Sequence, residues 1–230
     1  RRVMKLSVKD VAKLLSVDDK TVYGWIKQGG IPFYRIHEHY HFNKSEILEW
    51  ASSRQMAYAV DAEATAAEFP SLADALKNGG IVYGMKGNDK PTVLRNVVDA
   101  MPLSNAVDRG LLYEVLLARE NLGSTGFGEG VAIPHVRNPI VLHVDEPIIT
   151  LCFLAAPIDF GAIDGLPVDT LFTMVSPTVR MHLHLLSRLG FVLRNPAFKA
   201  ALQTRLPQGE LMDTLLRIEA QIESKSKAAQ

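Results

Sequence analysis

The chain has 230 residues, 47% of them hydrophobic and 22% charged, and its 25 Lys and Arg balance 25 Asp and Glu. That length suits one large domain or a medium one joined to a small one, and the composition is ordinary for a soluble globular protein. A single cysteine, Cys152, excludes an intramolecular disulfide framework, and no segment reaches the length of a bilayer span.

These features, with no charged-then-apolar signal stretch at the start, lead us to expect a cytoplasmic protein without membrane insertion. The charge is uneven: residues 1–55 carry about four excess positive charges and the remainder about four excess negative ones. A nucleic-acid module joined to a different body would look like this, and so would chance variation in a short segment.

Ser7 is a good N-cap, and Val8, Val11, Ala12, Leu14 and Leu15 form one apolar stripe, which predicts a first helix. Val17-Asp18-Asp19 reads as a turn. Residues 20–28 read as a second helix with Val22, Trp25 and Ile26 inward and Gly29-Gly30 as its stop. Residues 34–42 alternate like a small hairpin, and residues 44–50 suggest a third helix. Two short helices joined this tightly make a helix-turn-helix pattern.

The segments Ser7-Val8-Lys9-Asp10-Val11-Ala12-Lys13-Leu14-Leu15, Thr21-Val22-Tyr23-Gly24-Trp25-Ile26, Ile31-Pro32-Phe33-Tyr34-Arg35-Ile36 and Ile47-Leu48-Glu49-Trp50 resemble the winged helix-turn-helix of the MerR and excisionase groups. The resemblance implies that the second helix enters the major groove and the wing touches the DNA backbone or minor groove. Lys20, Thr21, Tyr23 and Lys27 would then face DNA, Asp19 would start the helix, and Arg35 would anchor the wing. The wing departs from the pattern, because it reads His37-Glu38-His39-Tyr40-His41 where a glycine and basic residues are usual. Largely neutral histidines attract phosphate more weakly than arginines, so a docking or dimerising module is the rival reading. His37, His39 and His41 share a strand face at period two, a spacing that rarely closes a metal site unaided; a solvated wing and no metal are expected.

Residues 53–70 read as an alanine-rich linker, so the expected organisation is 1–52, the DNA-binding winged helix-turn-helix; 71–223, a second domain; and 224–230, a frayed tail. Within the second domain, Ser71 should cap a helix over 72–77 that Gly79-Gly80 closes. A strand over 81–83 and helices over 90–101 and 108–119 follow. Strands over 148–154 and 168–175 come next, and then helices over 182–194, 196–204 and 208–223. Cys152 sits in an apolar run and reads as a small core residue.

The most informative stretch is Ser124-Thr125-Gly126-Phe127-Gly128-Glu129-Gly130-Val131-Ala132-Ile133-Pro134-His135. Its glycines suit a tight loop that presents backbone N–H groups to an anion. Val131-Ala132-Ile133 reads as a short buried strand that Pro134 ends, leaving His135 on a rigid edge. The loop lacks the Lys-Ser/Thr of a P-loop, and a lone histidine after a strand is more often structural than reactive.

This stretch closely resembles the signature of enzyme IIA domains of the fructose/mannitol/nitrogen-regulatory class in the bacterial phosphotransferase system. Three further segments fit: Leu116-Leu117-Ala118-Arg119-Glu120 resembles the family's Arg-Glu element, Ile158-Asp159-Phe160-Gly161-Ala162-Ile163-Asp164-Gly165-Leu166-Pro167-Val168 its loop and returning strand, and His182-Leu183-His184-Leu185-Leu186-Ser187-Arg188-Leu189 its second-histidine helix. The similarity runs from about residue 72 to 222.

The resemblance implies an α/β fold, a mixed β-sheet flanked by helices, beside the small N-terminal domain. It makes His135 the phosphoryl acceptor from a histidine phosphocarrier protein, the general one or its nitrogen-branch paralogue, with His182 as second active-site histidine. Arg119 would clamp phosphate oxygens, with Gly128 and Gly130 amides completing the shell. Read without the family, Arg119 is a surface ion-pair residue. His184 is expected to be solvated, Asp159 and Asp164 to serve turns, Glu129 to face solvent, and Arg137 to be an alternative docking residue.

The function so implied is a regulatory protein in which histidine phosphorylation couples to DNA binding or transcription control, or to binding of a partner, as a phosphohistidine carrier rather than a free-standing enzyme, without cofactor. A homodimer fits if two-fold DNA sites are read. The alternatives are a phosphoryl carrier to a sugar permease component whose N-terminal domain docks proteins, and a degenerate partner-binding domain.

Overall fold

The computed structural model describes residues 5–36, 39–54, 69–136 and 144–228. Two compact units, Arg1–Thr65 and Ala66–Gln230, make up the chain.

In the first unit, β1 (Lys5–Leu6) runs into Ser7, whose hydroxyl accepts from Asp10 N while the Asp10 carboxylate accepts from Ser7 N. That reciprocal cap opens α1 (Val8–Leu15), and Asp18 caps α2 (Asp19–Lys27) by accepting from Thr21 N. Strands β2 (Tyr34–Ile36) and β3 (His39–Asn43) form the expected hairpin, and β1 adds to the other edge of β3 through Leu6↔Phe42. Helix α3 (Lys44–Ser53) runs past Trp50, the expected end. Val11, Leu15, Val22, Ile26, Phe42 and Ile47 are buried together in sequence-stripe order, and Trp25 meets Trp50 edge-on at 5.0 Å.

The second unit runs α4 (Leu72–Gly79), β4 (Ile81–Met85), α5 (Lys90–Ala100), α6 (Arg109–Asn121), β5 (Gly126–Gly128) and β6 (Val131–Ala132), then β7 (Ile148–Ile158), β8 (Val168–Val175), α7 (Val179–Val192), α8 (Pro196–Gln203) and α9 (Gln208–Ala228). The sheet order is β4-β7-β8-β6-β5, with β4–β7 and β6–β8 parallel and the other two pairs antiparallel. This is the mixed, helix-flanked sheet that the sequence implied.

Period-two alternation gives the sheet two buried faces. Leu151, Phe153, Phe172 and Met174 pack with α4, α7, α8 and α9 through Leu76, Leu189, Phe198 and Leu215. Cys152, Leu154, Leu171 and Val175 pack on the other face with α5 and α6 through Val97, Leu112 and Leu116. Burial pushes the Cys152 thiol up to about 12, as suits a core residue.

Two expectations need correction. The segment 126–128, read as a loop, is strand β5, hydrogen-bonded to β6 as a hairpin around Glu129 and Gly130. Helix α9, expected to end at residue 223, continues through Ala228, where no proline or glycine stops it.

The C-terminus of α4 lies directly on β7: a Cβ on Gly79 would sit 2.1 Å from the Ile149 carbonyl oxygen. Backbone cannot yield there as a flexible side chain could. Gly79→Ala is therefore expected to lower unfolding free energy by about 3 kcal/mol, read as a lower urea midpoint at unchanged slope.

Candidate functional site

The site is built on strand parity. Strand β6 runs parallel to β8 with Val131 opposite Thr170 and Ala132 opposite Leu171, and His135 forms a further parallel bridge to Met174. Pro134 interrupts the ladder yet keeps the chain on β8, since its carbonyl accepts from Met174 N at 2.9 Å. Val131 and Ile133 belong to the core face covered by α7, so His135, two residues on, shares that face. Thr178 caps α7, and His182 lies one turn before Leu185 and Leu186 on its buried stripe. The two rings meet with centroids 5.1 Å apart, and only 5% of His135 and 4% of His182 is exposed.

His135 Nδ1 lies 2.7 Å from the Ile133 carbonyl oxygen. That oxygen only accepts, so Nδ1 donates and the neutral ring keeps its lone pair on Nε2. The geometry therefore sets the tautomer of the His135 imidazole and places a second imidazole beside it.

Arg119 occupies the last turn of α6 and donates through Nη1 to the Gly123 carbonyl at 2.9 Å. Its neighbour Glu120 is 3% exposed, and its carboxylate accepts from Thr125 N and from the Thr125 hydroxyl. Thr125 O in turn accepts from Ile133 N at 3.0 Å, which ties the end of α6 to the strand that carries His135.

Gly128 and Gly130 lie elsewhere. The Gly130 carbonyl accepts from Asp169 N and Thr170 N, four residues from Met174 along β8 and so about 13 Å from His135 along the sheet. The expected amide shell around His135 is thus not formed by this turn, because the glycines make a hairpin tip rather than an anion loop. With Lys199 and Leu202 they line a separate cavity of about 320 Å³. Glu129 faces solvent as expected and pairs with Lys199 at 2.7 Å, while Asp159 and Asp164 accept turn amides from Gly161 and Leu166.

His184, expected in solvent, instead stacks on Phe69 with ring centroids 4.9 Å apart. Two residues from His182 is the other side of α7, and there Phe69 covers it. Arg137 and His37 lie outside the described residues.

On the first unit, α2 exposes Lys20, Tyr23 and Lys27, and β2 exposes Arg35 in register with Tyr40. Tyr23 meets Tyr40 edge-on at 6.1 Å. Thr21 is used locally, its hydroxyl donating to Asp18 Oδ1 at 2.5 Å as part of the cap. His39 and His41 sit on β3 opposite Ile36 and Tyr34. Among the described residues no helix is long and apolar enough to cross a membrane.

Residues 74–218 match the family described as Phosphoenolpyruvate-dependent sugar phosphotransferase system, EIIA 2. The chain belongs to this EIIA family. Residues 6–55 match a second family, described as Helix-turn-helix domain. Curated relatives of the EIIA domain include the Nitrogen regulatory protein of Pseudomonas aeruginosa, 33% identical over 66% of this chain and 97% of that protein. The Nitrogen regulatory protein of Bradyrhizobium diazoefficiens is 35% identical over 54% of this chain and 80% of its own length. Among solved structures, Nitrogen Regulatory Protein IIA-Ntr from Neisseria meningitidis superposes with TM-score 0.55 at 28% identity, covering 63% of this chain and 98% of that one.

The signal that sequence reading missed in the EIIA domain was Glu120. It stood beside Arg119 as half of a motif, but nothing local said that its carboxylate would be buried against a strand.

Burial, and secondarily the Arg188 charge, lowers the His184 pKa from 6.5 to about 4. A histidine that resists protonation when folded contributes stability above its unfolded pKa, and that contribution is lost as pH falls from 6.5 through 4. Wild type should therefore lose about 1–2 kcal/mol more than His184→Phe between pH 7 and 4, after screening of a half-buried ring. Urea unfolding of both proteins across that range measures the difference.

Proposed function

We propose that this protein is a phosphorylation-responsive regulator. His135 accepts a phosphoryl group from a phosphorylated histidine phosphocarrier protein, and the change is read out through DNA binding by the N-terminal unit. The observation that carries the reading is the His135 Nδ1 bond to Ile133 O, which leaves the Nε2 lone pair as nucleophile. Nε2 attacks phosphorus, the donor's P–N bond breaks, and the donor imidazole leaves with that electron pair. The acceptor ring becomes cationic, and Ile133 O still holds its Nδ1 proton.

His182 stands one ring away to donate to the phosphoryl oxygens, and Arg119 supplies the fixed positive charge that three equatorial oxygens require. Support for a regulatory role comes from the nitrogen regulatory relatives and from the helix-turn-helix match on the same chain. On that first unit we assign Lys20, Tyr23, Lys27 and Arg35 to DNA; Thr21, engaged by Asp18, contributes by holding the helix start.

Incubating the full chain with a phosphorylated histidine carrier should add one acid-labile phosphate by intact mass, absent in His135→Ala. Label that survives His135→Ala would overturn the assignment. Lys20→Ala and Arg35→Ala should each weaken DNA binding across sequences and reduce the salt slope by about one. A chain that gains phosphate but retards no DNA even at low salt would instead be a carrier.

A further inference from the structure

We propose that Glu120 is a positioning residue for His135, acting by taking one hydrogen-bond donor out of the β-ladder. The inference rests on the reading of His135 as phosphoryl acceptor. In an antiparallel sheet, every second opposed pair of residues exchanges two backbone bonds, each N–H donating to the other's carbonyl. Gly126 faces Ala132, so Thr125 and Ile133 are the next such pair, and Ile133 N does donate to Thr125 O at 3.0 Å. The reciprocal donor is diverted. Thr125 N donates to the two Glu120 carboxylate oxygens at 3.2 and 3.0 Å, and the Thr125 hydroxyl adds a third bond to Oε2 at 2.6 Å.

Diversion changes what the Ile133 carbonyl can do. Its usual ladder donor points at a buried carboxylate, and the acceptor so released takes His135 Nδ1–H at 2.7 Å. The carboxylate thus governs the imidazole through two peptide units without touching it. Glu120 is itself held: Lys90 Nζ lies 3.5 Å from Oε1, and the same ammonium sits over the Phe160 ring, 5.2 Å from its centroid. A charged acceptor competes for an amide better than a neutral carbonyl, which favours the Glu120 carboxylate over Ile133 O as the partner of Thr125 N. Without it, Thr125 N returns to Ile133 O and shares that oxygen with the imidazole, which weakens and re-aims the bond that keeps the ring's lone pair on Nε2.

The test is long-range proton–nitrogen NMR of the His135 ring in the full chain, above the pH at which the ring protonates, together with the initial rate of phosphorylation by the phosphorylated carrier. Wild type should show the Nδ1–H tautomer. Glu120→Met, which keeps the bulk without an acceptor, should lose most of that population and slow phosphorylation about tenfold. Glu120→Gln, which restores one acceptor oxygen, should recover much of both. A folded Glu120→Met that retains the wild-type tautomer overturns the proposal, even if the rate falls, because a merely structural role would leave the ring's proton where it was. If Glu120→Met does not fold, Thr125→Val decides by the same spectrum: loss of the hydroxyl bond to Glu120 should weaken the diversion and move the tautomer, and an unchanged ring overturns. Wild type that takes no phosphate while Glu120→Met shifts the tautomer would sink the acceptor reading and leave the positioning role standing.

Discussion

The parallel bridge between His135 and Met174 is the contact on which the candidate site depends. A strand offers its side chains only two directions, so keeping the chain on β8 beyond Pro134 commits His135 to the face of Val131 and Ile133. That face is roofed by α7, and the buried stripe of α7 carries His182. A one-residue slip would turn the imidazole to the opposite face, that of Leu171 and Val175, away from its partner. Hydrophobic burial on both faces makes the slip expensive, so the apolar residues of β6 and β8 hold the chemistry in register.

Two buried carboxylates show how this fold uses charge inside a packed core. Glu219 accepts from Leu72 N and Ala73 N and so satisfies the open N-terminus of α4 from 147 residues away, with Arg188 beside it at 3.6 Å. Burial raises the Glu219 pKa, while its backbone and Arg188 partners oppose the shift. Glu120 plays the matching part at the start of β5, where Thr125 supplies the donors. In both places a carboxylate accepts backbone N–H groups, and this makes burial of the charge tolerable. The difference lies downstream, since the donor that Glu120 takes belongs to the strand pair next to His135.

Much of this architecture was legible in the chain. The Ser7 and Ser71 caps, the apolar stripe of α1 and the apolar run of β7 are local patterns, and each became the element that its residues implied. The likeness of the segments around Arg119, His135 and His182 to the enzyme IIA signature correctly pointed to the family. What misled was the glycine content of 126–130. Glycines fit an anion-binding loop and a strand pressed against a neighbour equally well, and the choice depended on Ala162, whose Cα lies 2.6 Å from where a Gly126 Cβ would sit. That neighbour is 36 residues away in sequence, beyond any local reading.

His184 makes the same point on a helix. Its spacing from His182 showed correctly that the two rings point apart, but not that Phe69 would close over the second. Local spacing determined which residues form helices and strands and which of them share a face, because backbone periodicity operates within a few residues. Only the tertiary structure decided which face meets which: that His135 looks at His182, that the glycine turn stands about 13 Å away along the sheet, and that Glu120 captures the Thr125 amide. Those outcomes turn on pairings between distant segments, and their energies exist only once the chain has brought the segments together.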